Sequence, residues 1–200
     1  MGKSKHMKKV EELFEKSPIV DFKSIERIVK PLHQKNKKSN YAKLLVSNML
    51  KSEKIKKIAK GCYTKNDDNS LSVLCYYPAY LGLQSALSFY GLWEQETIPV
   101  IITSKKIRTG IRKVLGGNIM IKRLQKKFVF GFDYCNDGGF YLPYSDIEKT
   151  FIDMVFFKQH LSKELILEFR KRILERKLRQ HLKVYDKRFQ KKALEIYSEK

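Results

Sequence analysis

Residues 39–65, SNYAKLLVSNMLKSEKIKKIAKGCYTK, constrain the fold more than any other stretch of this chain. At about 100° of rotation per residue, Tyr41, Ala42, Leu45, Val46, Met49 and Leu50 fall on one half of a helix. Asn40, Lys43, Ser47, Asn48 and Lys51 fall on an arc of about 140° on the other side. A helix divided in this way has to bury one face and leave amide, hydroxyl and ammonium groups on the other. Leu44 is the exception, standing inside the polar arc at about 100° on the wheel. The segment that follows, with Lys56, Lys57 and Lys60 near a turn at Gly61, reads as a short basic β-hairpin.

The residues upstream supply two more helices. Val10, Leu13 and Phe14 have helical spacing in a helix ending at Lys16, and Pro18 forces an extended break over 17–20. Asp21 is placed to cap a second helix whose Phe22, Ile25, Ile28 and Val29 share a face. Residues 31–38 read as a polar loop, and Ser39 as the cap of the third helix. Three short helices and a basic hairpin predict a winged helix-turn-helix domain over residues 1–66. Residues 1–9 have no apolar run of the signal-peptide kind and stand outside this reasoning.

After the polar linker 65–70 the pattern changes. Residues 71–77 suit a strand, and Pro78 opens a helix through Tyr90, with Gly91 as its stop. Residues 100–102, 119–124, 128–132 and 140–142 read as strands, the last after the Gly138-Gly139 turn. Ser145 and Glu148 have capping-box spacing ahead of an apolar helix through Phe157. Ser162 caps a long helix with Leu167, Leu174, Leu178 and Tyr185 on one stripe and Glu168–Arg172 and Glu175–Arg179 pairs four residues apart. A shorter helix follows to Tyr197. The fold class expected is therefore α+β: an N-terminal winged helix-turn-helix, then, over residues 71–200, an α+β domain with a mostly antiparallel sheet and basic C-terminal helices.

Charge gives this architecture a direction. The chain carries a formal +21, of which residues 1–66 hold +12, residues 67–153 hold +1 and residues 154–200 hold +8. Concentration of positive charge in the segment with the helix-turn-helix pattern points to a polyanionic partner. No apolar run approaches the roughly 18 residues of a membrane-spanning helix, so no membrane partner is expected. Cys62, Cys75 and Cys135 lack CxxC spacing and read as reduced, mostly buried residues of a cytoplasmic protein.

Within the first domain, Asn40, Ser47 and Asn48 are the candidates for base edges of duplex DNA, flanked by Ser39 and Tyr41. Lys43, Lys51, Lys56, Lys57 and Lys60 are the candidates for phosphates; lysine lacks arginine's planar fork, so strong sequence specificity is not implied. A second basic stretch holds Lys105, Lys106, Arg108, Arg112 and Lys113, then Lys122, Arg123, Lys126 and Lys127, with no acid among them. It reads equally as a second phosphate patch, as a surface for RNA or an acidic protein, or as strand edges protected by charge. An RNA-binding or nucleic-acid-processing factor using residues 105–127 is thus the alternative to a duplex-DNA binder. A third reading is an interaction module whose long C-terminal helix docks a partner or a second copy, giving a homodimer or cooperative binding.

Catalytic patterns are thin. Asp146, Glu148 and Asp153 form a conceivable nuclease metal cluster, but the first two suit a helix start and no short Glu-x-Lys spacing follows. The four histidines are scattered, and no phosphate-cradling glycine loop is present. No enzymatic activity, cofactor or metal is expected.

The order Lys60-Gly61-Cys62-Tyr63-Thr64, then 80–95 (YLGLQSALSFYGLWEQ), 97–106 (TIPVIITSKK) and 141–157 (YLPYSDIEKTFIDMVFF) resembles the AbiEi antitoxin family of abortive-infection systems and related winged-helix transcriptional regulators. The shared features are a basic hairpin closing on a Gly-x-Tyr step, a helix with Ser85-Ala86-Leu87 followed by Gly91-Leu92, a Val-Ile-Ile strand, and a late capped helix with Glu148-Lys149-Thr150 and Asp153. The resemblance spans roughly residues 10–160. It implies a DNA-binding N-terminal domain that represses its own operon. It also implies a C-terminal domain that counteracts a nucleotidyltransferase toxin, an antagonism that need not involve a stable complex. The last forty residues match no pattern of that family.

Overall fold

The computed structural model describes residues 2–29, 40–95 and 97–198. The expected loop 31–38 and the expected cap Ser39 lie outside the described residues. The chain divides into two compact units, one of Met1–Cys75 with Lys113–Gly117, the other of Tyr76–Arg112 with Asn118–Lys200.

In the first unit α1 (Gly2–Lys16) leads through β1 (Val20–Asp21) into α2 (Phe22–Val29), followed by α3 (Asn40–Lys51), β2 (Lys56–Ala59) and β3 (Cys62–Thr64). The helix reaches back to Gly2, so the residues set aside as carrying no fold information are largely helical. The two-residue strand β1 joins the hairpin in a three-stranded sheet ordered β1-β3-β2, with Val20 opposite Tyr63 and Asp21 opposite Cys62. Asp21 caps α2 as its sequence position requires, its carboxylate accepting the Ser24 N–H at 2.7 Å. A hydrogen bond from the Ser24 side chain, ahead of the opposing effect of burial and helped by that backbone bond, lowers the Asp21 pKa from its ordinary value. Val10, Phe14, Ile25, Leu45, Met49 and Ile55 meet in the core of this unit. Thr64 closes it, its hydroxyl donating to the Pro18 carbonyl at 2.7 Å.

The second unit is a mixed six-stranded sheet with helices, and it departs from expectation in several places. Ahead of it, and in the first unit but for Tyr76, residues 69–76 form a 3-10 helix where a strand is expected, started by the Asp68 carboxylate accepting the Ser70 N–H at 2.8 Å. Pro78 introduces not a helix but β4 (Ala79–Leu81), and the helix, α4 (Gln84–Phe89), is only six residues long. Then come β5 (Val100–Thr103), β6 (Gly110–Val114), β7 (Gly117–Arg123), β8 (Phe132–Asp137) and β9 (Phe140–Ser145). The expected strand 128–132 is instead a 3-10 turn, Lys126–Phe128, and the lead-in to β8.

The strand order is β6-β7-β5-β4-β9-β8. β4 and β5 are antiparallel, as are β8 and β9, but β4 pairs parallel with β9 and β5 parallel with β7. The sheet is therefore mixed. Two chain connections cross over between parallel neighbours, a long-range arrangement that alternation along each strand does not encode.

Against this sheet lie α5 (Ile147–Phe156), α6 (Lys163–Arg172), α7 (Glu175–Leu182) and α8 (Lys187–Ser198). The single long helix expected after Ser162 is broken at Ile173–Leu174. The Leu174 N–H that a continuous helix would use internally is accepted by the Glu148 carboxylate at 2.9 Å. The expected apolar stripe breaks with it: Leu178 and Tyr185 are buried, whereas Leu167 and Leu174 are 51% and 67% exposed. The Glu168–Arg172 and Glu175–Arg179 pairs do form. Helix α5 is capped by Asp146 rather than Ser145, with the Lys149 N–H donating to the Asp146 carboxylate at 2.7 Å. Every residue from 148 to 155 is buried, so α5 meets solvent only at its ends, where Ile147 is half-buried and Phe156 exposed. The three cysteines are free thiols and only half-buried.

Candidate nucleic-acid interface

Helix α3 divides as its sequence dictates. Ala42, Leu45, Val46 and Met49 are buried, with Tyr41 and Leu50 packed half-buried at the margin of the same core. Asn40, Lys43, Asn48 and Lys51 are exposed and Ser47 is half-buried, which leaves one polar arc on the surface of the unit. Leu44 lies on that arc and is 54% exposed, an apolar side chain in the middle of a polar face.

The hairpin behind the helix is short and anchored. Lys56 pairs with Thr64, Lys57 with Tyr63 and Ala59 with Cys62, and a bulge falls between Lys57 and Ala59. Gly61 takes the left-handed conformation (φ 73°) that the two-residue turn needs, and its carbonyl accepts the Phe22 N–H at 2.8 Å. The turn is thereby tied to the start of α2. Lys57 and Lys60 are exposed, but Lys56 is half-buried and ion-paired with Asp67. Lys54 and Lys65 are likewise engaged, with Glu11 and Glu15. Among the cations of α3 and the hairpin, Lys43, Lys51, Lys57 and Lys60 are exposed and make no ion pair among the described residues; elsewhere in the unit Lys8, Lys9, Lys16, Lys23 and Arg27 are exposed as well.

The second basic stretch does not form one patch. Lys113 belongs to the first unit. Lys122 lies over the Phe157 ring at 4.9 Å and Lys127 over the Phe128 ring at 4.8 Å. The Arg112 guanidinium donates to the Arg108 carbonyl at 2.6 Å, bracing the loop that also carries Lys105 and Lys106. The remaining cations, Lys106, Arg108, Arg123 and Lys126, line an open groove of about 890 Å³ together with Phe128 and Phe156. The aromatic walls of that groove escape a reading based on charge. Phe128 follows directly on Lys126 and Lys127 in the sequence, whereas nothing local marks Phe156.

Asp146, Glu148 and Asp153, the conceivable metal cluster, are all buried and all occupied by protein partners. Asp153 is fully buried, ion-paired with the equally buried Lys149, and accepts the Tyr80 hydroxyl at 2.6 Å. Lys149 Nζ also donates to the Tyr185 hydroxyl at 3.2 Å and lies within 6.0 Å of the Tyr80, Phe130 and Tyr185 rings. Burial raises the Asp153 pKa and lowers that of Lys149, each opposed by the partner's charge. Asp146 meets His181 at 2.9 Å and Lys177 at 3.1 Å, and Lys177 reaches Glu148 at 3.2 Å. Burial pushes the Asp146 carboxyl up, but the hydrogen bonds from His181, the Lys149 N–H and Lys177, with the charge of His181, outweigh it and leave its pKa lowered. No group of three metal-ligating side chains occurs among the described residues. No helix among them is long and apolar enough to cross a membrane.

No protein-family model matches the chain, and the comparison with curated proteins gives no match. In fold it is similar to the crystal structure of the RV2827C protein from Mycobacterium tuberculosis. The TM-score is 0.60 over 94% of this chain and 74% of that one, at 10% sequence identity. At that identity the likeness concerns the fold alone.

Proposed function

We propose that the chain is a DNA-binding transcriptional regulator of the AbiEi antitoxin type, whose first unit docks on promoter duplex DNA as a winged helix. The observation that supports this best is the exposed polar arc of α3, with Lys43, Asn48 and Lys51 on one helix face and Lys57 and Lys60 on the hairpin that follows. The strand β1 between the first two helices, which completes the β1-β3-β2 sheet, supports reading the hairpin as a wing. In this reading α3 enters a major groove, Asn48 meets a base edge, and the lysines sit against phosphates. Lys56, held by Asp67, contributes structure rather than contact. Leu44 is placed to meet a thymine methyl group.

The antitoxin role belongs to the second unit and to a functional rather than physical relation with a nucleotidyltransferase. An adjacent reading frame for such an enzyme separates antitoxin from free-standing repressor. Binding is tested by fluorescence anisotropy with the duplex upstream of the chain's own reading frame and with random duplex. Neutralising about six phosphates gives a log–log salt slope near −5. Asn48→Ala weakens the promoter fragment more than random DNA, by about tenfold, whereas Lys57→Ala weakens both alike. Equal losses from the two substitutions would mean that Asn48 reads no sequence.

A further inference from the structure

We propose that the second unit carries its own binding site for single-stranded nucleic acid, in the groove lined by Lys106, Arg108, Arg123, Lys126, Phe128 and Phe156. The strand register builds this groove. Thr103 at the end of β5 stands opposite Arg123 at the end of β7, and the Leu124 N–H donates to the Thr103 carbonyl at 3.0 Å. The loop after Thr103 therefore runs beside the turn after Arg123. The Thr103 hydroxyl accepts the Lys105 N–H at 3.1 Å and the Arg112 guanidinium holds the Arg108 carbonyl, so that loop is fixed from both ends. On the other wall a 3-10 turn, with the Phe128 N–H donating to the Gln125 carbonyl at 2.9 Å, sets Lys126 and Phe128, and Phe156 ends α5.

Four cations share this groove, no carboxylate lines it, and none of the four makes an ion pair among the described residues. Such a concentration is self-repelling unless an anion joins it, and the two arginines present the fork geometry that suits phosphate. A charged loop needs no aromatic wall, however. Phe128 is covered by Tyr185, stacked at 4.5 Å with 10° between the rings, and by the Lys127 ammonium 4.8 Å from its centroid, so Phe156, 5.7 Å from Phe128 and 36% exposed, is the ring open to solvent. An exposed ring beside a row of cations is the arrangement on which an unpaired base stacks while its phosphates meet lysine and arginine. Bases of an intact duplex already stack on one another and are not available to these rings. The groove is open rather than enclosed, and its volume falls within the roughly 300–1,000 Å³ typical of ligand sites, room for a short run of nucleotides.

The test is fluorescence anisotropy of the full chain with labelled oligouridylate and oligothymidylate of roughly a dozen nucleotides, within the site sizes of such grooves. Arg123→Glu with Lys126→Glu lowers affinity for both by more than about tenfold. Phe156→Leu, which keeps an apolar side chain but removes the flat ring, lowers it about tenfold, and Phe156→Trp restores it. An unchanged thermal midpoint verifies the fold of each variant, with unchanged Trp93 fluorescence beside it in all but Phe156→Trp, which adds a second indole. Binding of either oligonucleotide that falls with these substitutions supports the site, whichever of the two is preferred. Full affinity in Phe156→Leu, or displacement by inorganic polyphosphate as effective as by oligonucleotide, overturns the proposal in favour of a charge-only surface. Asn48→Ala and Lys57→Ala leave this binding unchanged, so failure of the duplex reading and failure of this one are separately visible.

Discussion

Replacing Asp153 with alanine withdraws the carboxylate from an ammonium group that has no access to water. Lys149 and Asp153 are both fully buried, and the carboxylate also accepts the Tyr80 hydroxyl. Removing one partner of such a pair costs about 3–5 kcal/mol, because the other charge stays behind uncompensated. The stranded Tyr80 hydroxyl adds to the loss, at about 1–3 kcal/mol for a buried donor left without acceptor. The Tyr185 hydroxyl and three aromatic rings surround Lys149 Nζ in parent and variant alike and offset none of this. The expected loss is about 4–8 kcal/mol, a large part of the roughly 5–15 kcal/mol that holds a domain together. Lys149→Met combined with Asp153→Leu removes both charges and recovers most of it. Guanidinium unfolding followed by the fluorescence of Trp93, the chain's single tryptophan and part of the second unit, measures the loss where it occurs. A loss below about 1 kcal/mol for Asp153→Ala would refute the buried pair and the packing of α5 built on it.

Two further perturbations probe the same unit. Gly131 has φ 65°, its carbonyl accepts the Asp146 N–H at 2.9 Å, and an added Cβ would lie 3.0 Å from His181 Nε2 and 3.1 Å from Lys149 Cβ. Gly131→Ala therefore costs about 1–3 kcal/mol, read as a lowered thermal midpoint, whereas Gly138→Ala, with open space around it, costs less. Asp146 has a lowered folded pKa, so its contribution is fully present above the unfolded carboxylate value near 3.9 and is lost as pH falls through the lower folded value. Guanidinium midpoints measured from about pH 5 downward fall less steeply in Asp146→Asn than in the parent chain.

The first unit was legible because its signals are local. The faces of α3, the Asp21 cap and the Gly61 turn each depend on residues within a few positions of one another, and each stands where periodicity and capping chemistry put it. What escaped there were the start of α1 at Gly2 and β1, since a two-residue strand is created by its partner β3 and not by its own sequence. The apolar run from residue 71, mostly in the same unit, satisfies a strand or a 3-10 helix equally, and the capping chemistry of Asp68 settles it. The second unit misled where long-range contacts decide. Glu148 resembled a capping-box residue, but its carboxylate is taken by Leu174 and Lys177, elements that no local spacing reveals. That same carboxylate breaks the long C-terminal helix into α6 and α7. The groove was half visible: its cations are conspicuous in the sequence, while Phe156 reads as one more apolar residue at the end of a helix.

The inclusion of residues 113–117 in the first unit bears on how the molecule can be taken apart. A gene cut at residue 75 would remove not only the second unit but a piece of the first, including the Gly117 backbone that lies against the Asn69 side chain. A fragment made on the assumption of a simple linker at 65–70 would therefore unfold more readily than the intact chain. A weak DNA affinity measured on such a fragment would reflect that missing piece and not the binding surface.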